Sequence, residues 1–514
     1  MAKVFGPDHP RGRARRPGRL PVWLAWAGGW LAVAGCAVGP DYQRPKVAEV
    51  AEVTPEWKAV SHWKPAQPRD TEIKPAFWEV FRDDTLSGLE QTASTNNPDL
   101  RAAFERVEQA RAVARISKAD LFPTLSLDPN GNRTLFTKNR PEQPNSLVLG
   151  YQTTTLNVPF DLSYEIDLWG RVRRSFHSAR ELAQAGEAER QTLLLSLQAD
   201  LAQNYFTLRS VDLNRRVVAE AIVLREKNLK LIQSLHEGGA GTALEVAQAQ
   251  TELASAQADL VGLELRRTQL ENAIGLLCGR QVSRFHIEET SRTYRPPSIP
   301  VGLPADLIER RPDVAQAERT LASANEAIGV AKAAFFPTVR LTGSAGFESG
   351  EVKDLFSWES AVWSLGPSVS LPLFAGGRNR AGVARAESAY REAVERYRGQ
   401  VLIAFREVED SLAGLRLLGD QFDAQIRALE AAKKASELSR IRFKEGLVSY
   451  FEVVLADRAV LDNEITAYGI NGQRMVNTVQ LIKALGGGWR AGATPAQFSS
   501  AAPVPASPVP SSAK

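Results

Sequence analysis

Residues that usually carry chemistry are scarce in this chain. It has 514 residues but two cysteines, five histidines and two methionines. Cys36 and Cys278 lie far apart in different contexts, so no disulfide framework is indicated. His9, His62, His177, His236 and His286 are scattered without metal-ligand spacing. The glycine-rich run Gly238-Gly239-Ala240-Gly241-Thr242 lacks the Lys-Ser/Thr of a phosphate loop. There is no nucleophile elbow either. Cys278, beside Gly279 in an apolar stretch, reads as a buried small hydrophobe. No enzyme, metal or cofactor constellation is therefore expected. The formal net charge is +4, and it belongs to the start of the chain. Lys3, Arg11, Arg13, Arg15, Arg16 and Arg19 stand there against Asp8 alone, which leaves the remainder close to neutral. Nothing suggests a nucleic-acid footprint.

After the basic start comes an apolar run at residues 20–34, too short to span a bilayer as a mature helix. It fits the apolar part of a signal peptide and ends in Val33-Ala34-Gly35-Cys36. Small residues before a cysteine resemble the bacterial lipoprotein signal, in which Cys36 becomes an acylated N-terminus. A small-residue cleavage site with an incidental cysteine is the alternative. Ala37, rather than Asp, resembles lipoproteins sent on to the outer membrane. Gly39-Pro40-Asp41-Tyr42-Gln43-Arg44-Pro45 then opens a proline-dotted, extended segment that Trp57, Trp63 and Trp78 are expected to pin down.

An internal repeat organises the rest. Pro98-Asp99-Leu100 precedes Phe122-Pro123-Thr124 by the same interval that separates Pro312-Asp313-Val314 from Phe336-Pro337-Thr338. Gly170-Arg171 pairs with Gly377-Arg378, Glu237-Gly238 with Glu445-Gly446, and Cys278-Gly279 with Leu485-Gly486. Each half reads helix, strand, loop, strand, long helix, glycine turn, helix. Asn97 as N-cap and Pro98 at the first helical position open one of the short helices. A proline-rich linker separates the halves.

The long helices carry a seam. Val394, Tyr397, Val401, Phe405, Val408, Leu412, Leu415, Phe422, Ile426 and Leu429 recur mostly at three- and four-residue steps. A continuous helix from Arg171 to His236 would be roughly 100 Å long. The return helices are shorter, so the short helices ending at Phe122 and Phe336 must extend them end to end.

The strands decide the class. Leu156, Val158, Phe160, Leu162, Tyr164, Ile166 and Leu168 alternate with Asn157, Pro159, Asp161, Ser163, Glu165 and Asp167. Trp363, Leu365, Pro367, Val369, Leu371 and Leu373 alternate with Ser364, Gly366, Ser368 and Ser370. Such alternation suits a wall between lipid and water, and equally a strand of a soluble sandwich. The leader favours the wall. Four such strands cannot close a barrel, and open edges are not tolerated in lipid, so several copies would have to share one barrel.

At this point the chain resembles the TolC-like outer-membrane factors, especially the lipidated OprM/NodT-like branch. The resemblance rests on Cys36-Ala37-Val38-Gly39-Pro40-Asp41-Tyr42, Asn97-Pro98-Asp99-Leu100, Arg310-Arg311-Pro312-Asp313-Val314, Ala333-Ala334-Phe335-Phe336-Pro337-Thr338 and Leu485-Gly486-Gly487-Gly488-Trp489, all in order. It implies a mainly α chain with a membrane β-barrel portion. Three chains would make a twelve-stranded outer-membrane barrel, continued by a long periplasmic α-helical barrel. It implies a homotrimer that meets a periplasmic adaptor (membrane fusion) protein, an inner-membrane pump of the RND type and outer-membrane lipids. The expected domains are a signal peptide (1–35), an extended periplasmic segment (36–83), a first repeat (84–290), a linker (291–305), a second repeat (306–489) and a disordered Ala/Pro/Ser tail (490–514). Barrel strands are expected at about 123–137, 147–168, 338–349 and 361–374.

The resemblance also places function. Gly238, Gly239, Gly241, Thr242, Gly446 and Ser449 fall at the helix tips that would dock the adaptor. Tyr450, Asp457 and Arg458 are the gate candidates, and the acidic position of relatives is occupied by Leu455. Asp457 lies two residues further on, on another face of the helix, so the ion-pair arrangement of relatives does not transfer directly. The expected job is a passive efflux exit duct for drugs or other small molecules. The alternatives are the outer-membrane duct of a type I protein secretion system and a non-conducting coiled-coil spacer of the envelope.

Overall fold

Proline and glycine punctuate this fold. The computed structural model describes residues 37–43, 76–137, 152–299 and 311–487. Cys36, the leader before it, Trp57, Trp63, part of the linker and the tail lie outside the described residues. The helices are α1 (Asp84–Asn96), α2 (Pro98–Ala119), α3 (Arg171–Glu237), α4 (Ala243–Leu277), α5 (Pro312–Ala333), α6 (Arg378–Lys444) and α7 (Tyr450–Ala484). The strands are β1 (Thr124–Leu127), β2 (Asn130–Leu135), β3 (Gln152–Ile166), β4 (Thr338–Ser349) and β5 (Ala361–Ser370). None of the described helices is long and apolar enough to cross a membrane.

The chain divides into two units. One holds Met1–Asp41, Ser117–Phe176 and Glu326–Ala386. Its centre is one antiparallel sheet in which β3 pairs with β4 and β4 with β5. The expected single strand at 123–137 is two segments, β1 and β2, and both pair with β3 in one unbroken register. Proline explains the gap. Pro129 falls between the segments and Pro159 sits opposite on β3, so two ladder N–H donors are missing at one place. Five strand segments therefore fill four lanes. At the far side, β5 ends at Ser370 rather than continuing to 374, because Pro372 follows.

The stretch just after Cys36 is tied to this unit. Val38 N–H donates to the Trp169 carbonyl at 3.0 Å. Arg174, with a buried side chain, donates to the carbonyls of Gly39 (3.3 Å) and Pro40 (3.1 Å) and to the carboxylates of Asp41 (3.2 Å) and Glu326 (3.0 Å). Gly39 has φ +119°, and a Cβ there would lie 2.6 Å from the Gly329 Cα. Only two glycines allow that approach of strap to helix.

The second unit holds Tyr42–Ile116, His177–Asn325 and Glu387–Lys514. Phe77, Trp78 and Phe81, on a short 3-10 turn, are buried among Leu86, Tyr205, Phe206, Ile274, Met475 and Val479. Each such side chain contributes about 1.5–3 kcal/mol of apolar burial. Asp83 caps α1 by accepting the Leu86 N–H at 2.9 Å, and it also accepts the hydroxyls of Tyr205 (2.7 Å) and Tyr294. Burial works to raise its carboxyl pKa, but the hydrogen bonds from Tyr294, Leu86 and Tyr205 outweigh it and hold Asp83 below its ordinary value. The seam of α6 is buried at Tyr397, Val401, Val408, Leu412 and Leu429.

The repeat is visible in the junctions. Asn97, just before Pro98, donates its side-chain N–H to the Leu277 carbonyl at the end of α4 (3.0 Å). Arg311, just before Pro312, donates to the Ala484 carbonyl at the end of α7 (3.0 Å). Each short helix thus begins where a return helix ends, and its leading side chain satisfies a terminal carbonyl. Cys278 is fully buried at the first of these junctions, where burial pushes its thiol pKa up to about 11.

Glu90 on α1 is the anomaly. It is fully buried, neither carboxyl oxygen has a hydrogen-bond partner, and burial raises its pKa well above the ordinary value. Such a group holds its proton more tightly folded than unfolded, so stability is greatest below the ordinary carboxylate range. It declines as pH rises through the raised folded value. Thermal unfolding across acidic to mildly alkaline buffers is expected to show this decline, and Glu90→Gln is expected to flatten it. An equally steep decline in the variant would clear Glu90 of the effect.

Candidate functional site

The tips of the helical hairpins are built from identical turn chemistry. At the end of α3, Gly239 takes a left-handed φ of +79°. Its N–H donates to the His236 carbonyl (3.0 Å) and Ala240 N–H to Leu235 (2.8 Å). At the end of α6, Gly446 has φ +69°, Gly446 N–H donates to Phe443 (3.0 Å) and Leu447 N–H to Arg442 (2.9 Å). Both are glycine-terminated Schellman turns. The sequence pairing of Glu237-Gly238 with Glu445-Gly446 is one residue off: α3 and α6 are equally long, 67 residues each, so Gly239 rather than Gly238 matches Gly446.

The chain restarts differently at the two tips. Thr242 forms a capping box with Glu245, accepting the Glu245 N–H at 3.2 Å while its own N–H donates to that carboxylate at 2.8 Å. Gly241 passes close to the preceding helix, where a Cβ would sit 3.0 Å from the His236 nitrogen. Ser449 caps α7 by position, without a side-chain capping bond. Gly238 continues the α3 hydrogen bonding by donating to Ser234 at 3.0 Å.

Just past the second tip, Tyr450 is buried with Ile232, Ala249, Val453 and Val454, and its ring lies 5.8 Å from that of Phe443. Burial, followed by the Asp457 charge, raises its pKa. Asp457 and Arg458 do not pair with each other. Asp457 accepts from Arg440 (2.9 Å) and from the Ser436 hydroxyl (2.6 Å), both on α6. Arg458 reaches Glu252 on α4 at 3.3 Å, and Glu252 is also held by Arg225 on α3 at 3.1 Å. Consecutive residues on α7 therefore tie it to two different helices, its own outgoing partner and the return helix of the first repeat. The buried acid among these ties is Glu252, and Leu455 is exposed. Glu252, Arg225, Arg440 and Ser436 escape a sequence reading, because their partners lie on other helices and no local spacing marks them.

The sheet separates its two faces row by row. Leu127, Phe160, Ala345 and Trp363 align across the lanes, and so do Leu125, Leu162, Gly343 and Leu365. Between them runs Ser126, Asp161, Ser344 and Ser364. Partners in an antiparallel ladder point to the same face, so one face is apolar and the other polar across all four lanes. The apolar face is open to its surroundings, with Trp363 81% and Leu365 64% exposed. The first lane and β5 each leave one edge unpaired among the described residues.

A family model described as outer membrane efflux protein matches residues 89–280 and 303–487. The chain is 34% identical over 460 residues to the solvent efflux pump outer membrane protein SrpC of Pseudomonas putida, covering 89% of this chain and 97% of that one. It is 30% identical over 461 residues to the cation efflux system protein CusC of Escherichia coli, covering 90% and 97%. Among solved structures, the open state of the MtrE outer membrane channel of Neisseria gonorrhoeae superposes with a TM-score of 0.77 at 30% identity, covering 88% of this chain and 99% of that one.

The two ties on α7 are separable. Asp457→Asn is expected to raise amide exchange around Ser436 and Arg440 on α6 and to leave α4 nearly unchanged. Arg458→Gln is expected to raise exchange around Glu252 on α4 instead. The same exchange pattern from both variants would show one shared network rather than two ties.

Proposed function

The chain belongs to the outer membrane efflux protein family, and from that premise we propose that it is the passive exit duct of a tripartite efflux system. The observation that carries this is the sheet. Four lanes present an apolar face, a polar face and, among the described residues, two open edges. Strand direction alternates from lane to lane, so β5 of one copy meets the first lane of the next antiparallel. The ring closes without a mismatch. Two copies would give eight strands, whose interior is filled by side chains. Three copies, the number that membership of the family implies, give twelve strands around a water-filled lumen, and the functional unit is read as a homotrimer on that basis.

Cys36 is the lipidation site in this reading. The support is the strap that follows it, fixed by Val38 and Arg174 beside the ends of the strands that lead into helices. Acyl chains on the preceding residue would start at membrane level. The helices carry the duct into the periplasm. The tips at Gly238, Gly239, Gly241, Thr242, Gly446 and Ser449 dock a periplasmic adaptor, which links the duct to an inner-membrane pump. The pump, of the RND type, supplies the energy. Tyr450, Asp457 and Arg458 hold the periplasmic end shut through the α6 and α4 ties. One relative is named for solvent efflux and another for cation efflux. That spread suits a lumen that passes what its partner delivers rather than one that selects by tight binding.

The test is conductance. Purified protein in planar bilayers is expected to give discrete channel steps and to migrate as three chains in mild detergent. A combined Asp457→Asn, Arg458→Gln variant is expected to raise the single-channel conductance severalfold. Unchanged conductance would remove these residues from the closure, and the absence of any steps with a stable lone monomer would end the duct.

A further inference from the structure

The short connection between β4 and β5 carries more exposed apolar surface than a water-facing loop has reason to keep. Val352 is 75% exposed, Phe356 71% and Trp358 86%. Hiding side chains of this size from water is worth about 1.5–3 kcal/mol each, so three left out together on one small loop point to a surface that covers them. The loop has internal structure. It is folded by two 3-10 turns, Val352–Asp354 and Trp358–Ser360, with Leu355 buried beneath. The Ser360 hydroxyl donates to the Asp354 carbonyl at 2.8 Å, and Ser357 N–H donates to the same carbonyl at 3.1 Å.

The direction of the loop identifies the occupant. Phe347 lies one row beyond Ala345 on the apolar face of β4, in register with Val158. Phe356 packs edge-on against Phe347, with ring centroids 5.7 Å apart and an interplanar angle of 70°. The loop therefore bends towards the apolar side and prolongs that face past the strand ends. Its charged residues, including the Glu351–Lys353 pair at 2.8 Å, share the same few positions. Ring surface beside charge and an indole N–H is the composition of a membrane–water boundary. The helices join β4 and β5 at their other ends, so this loop stands on the side away from the periplasm.

We infer that residues 350–360 form an outer-leaflet anchor, with Phe356 and Trp358 seated at the boundary between acyl chains and headgroups. This rests on the membrane-wall reading of the sheet. The anchor sets how deep the apolar face sits. Leu373 and Phe374, 90% and 91% exposed, follow β5 at the opposite end of the sheet.

Nitroxide labels at Phe356→Cys, Trp358→Cys, Lys353→Cys and Trp363→Cys test the inference in the full protein, reconstituted in phosphatidylethanolamine–phosphatidylglycerol vesicles. The unsubstituted protein serves as the labelling blank, since Cys278 is buried. Collision with oxygen reports hydrocarbon, and collision with a water-soluble nickel chelate reports water. Labels at 356 and 358 are expected to favour oxygen, as at 363, while 353 favours nickel. Nickel-favoured collisions at 356 and 358, with 363 still oxygen-favoured, would overturn the anchor and leave the wall intact. Protection of 356 and 358 from both reagents would overturn it too, by showing protein as the cover. Nickel-favoured collisions at 363 would sink the wall reading and the anchor with it.

Discussion

Backbone N–H and C=O groups cannot be left bare in hydrocarbon, and this requirement governs the molecule. Among the described residues, a single chain offers four lanes of strand, with the first lane and β5 unpaired on their outer sides. One protomer cannot satisfy those edges by itself. Self-association is thus a condition of having a wall at all, rather than a later refinement. The same requirement explains why the break between β1 and β2 is tolerable. Pro129 and Pro159 have no N–H to leave unsatisfied, so the interruption falls where the ladder has least to lose.

Outside the sheet the described residues are mainly helix. Helices α3 and α6 have 67 residues each, and α4 and α7 have 35 each, so the long helices of the two repeats match in length. The junctions at Asn97–Leu277 and Arg311–Ala484 use different side chains for the same task. An amide suffices in one repeat and a guanidinium in the other, because the task is to satisfy an end-of-helix carbonyl. The tips keep their left-handed glycines in both repeats, while their restarts differ. The repeats agree in backbone geometry and diverge in side chains, which leaves the two tips free to meet unlike surfaces.

Much of this was legible in the sequence, and the limits have physical causes. Strand alternation has a period of two and needs no tertiary knowledge, so the faces of β3 and β5 could be read directly. The proline gap could not, since Pro129 matters only once register places Pro159 diagonally across from it, opposite Asp128. Asn97 and Pro98 announced a helix start locally. Glu90 gave no warning, because its burial comes from packing of α1 into the core and not from its neighbours in sequence. The gate candidates Asp457 and Arg458 were named from the family resemblance, which gave no sign of their partners Arg440, Ser436 and Glu252. Contacts between helices that lie side by side but are remote along the chain leave no periodic trace.

Cys278 carries a last consequence. An accessible thiol in an oxidising compartment is ordinarily a hazard, open to mixed disulfides and wrong cross-links. Thiolate is the reactive form, and here both access and ionisation are suppressed by the helix junction that encloses the side chain. Once the junction has packed, this thiol is withdrawn from disulfide exchange.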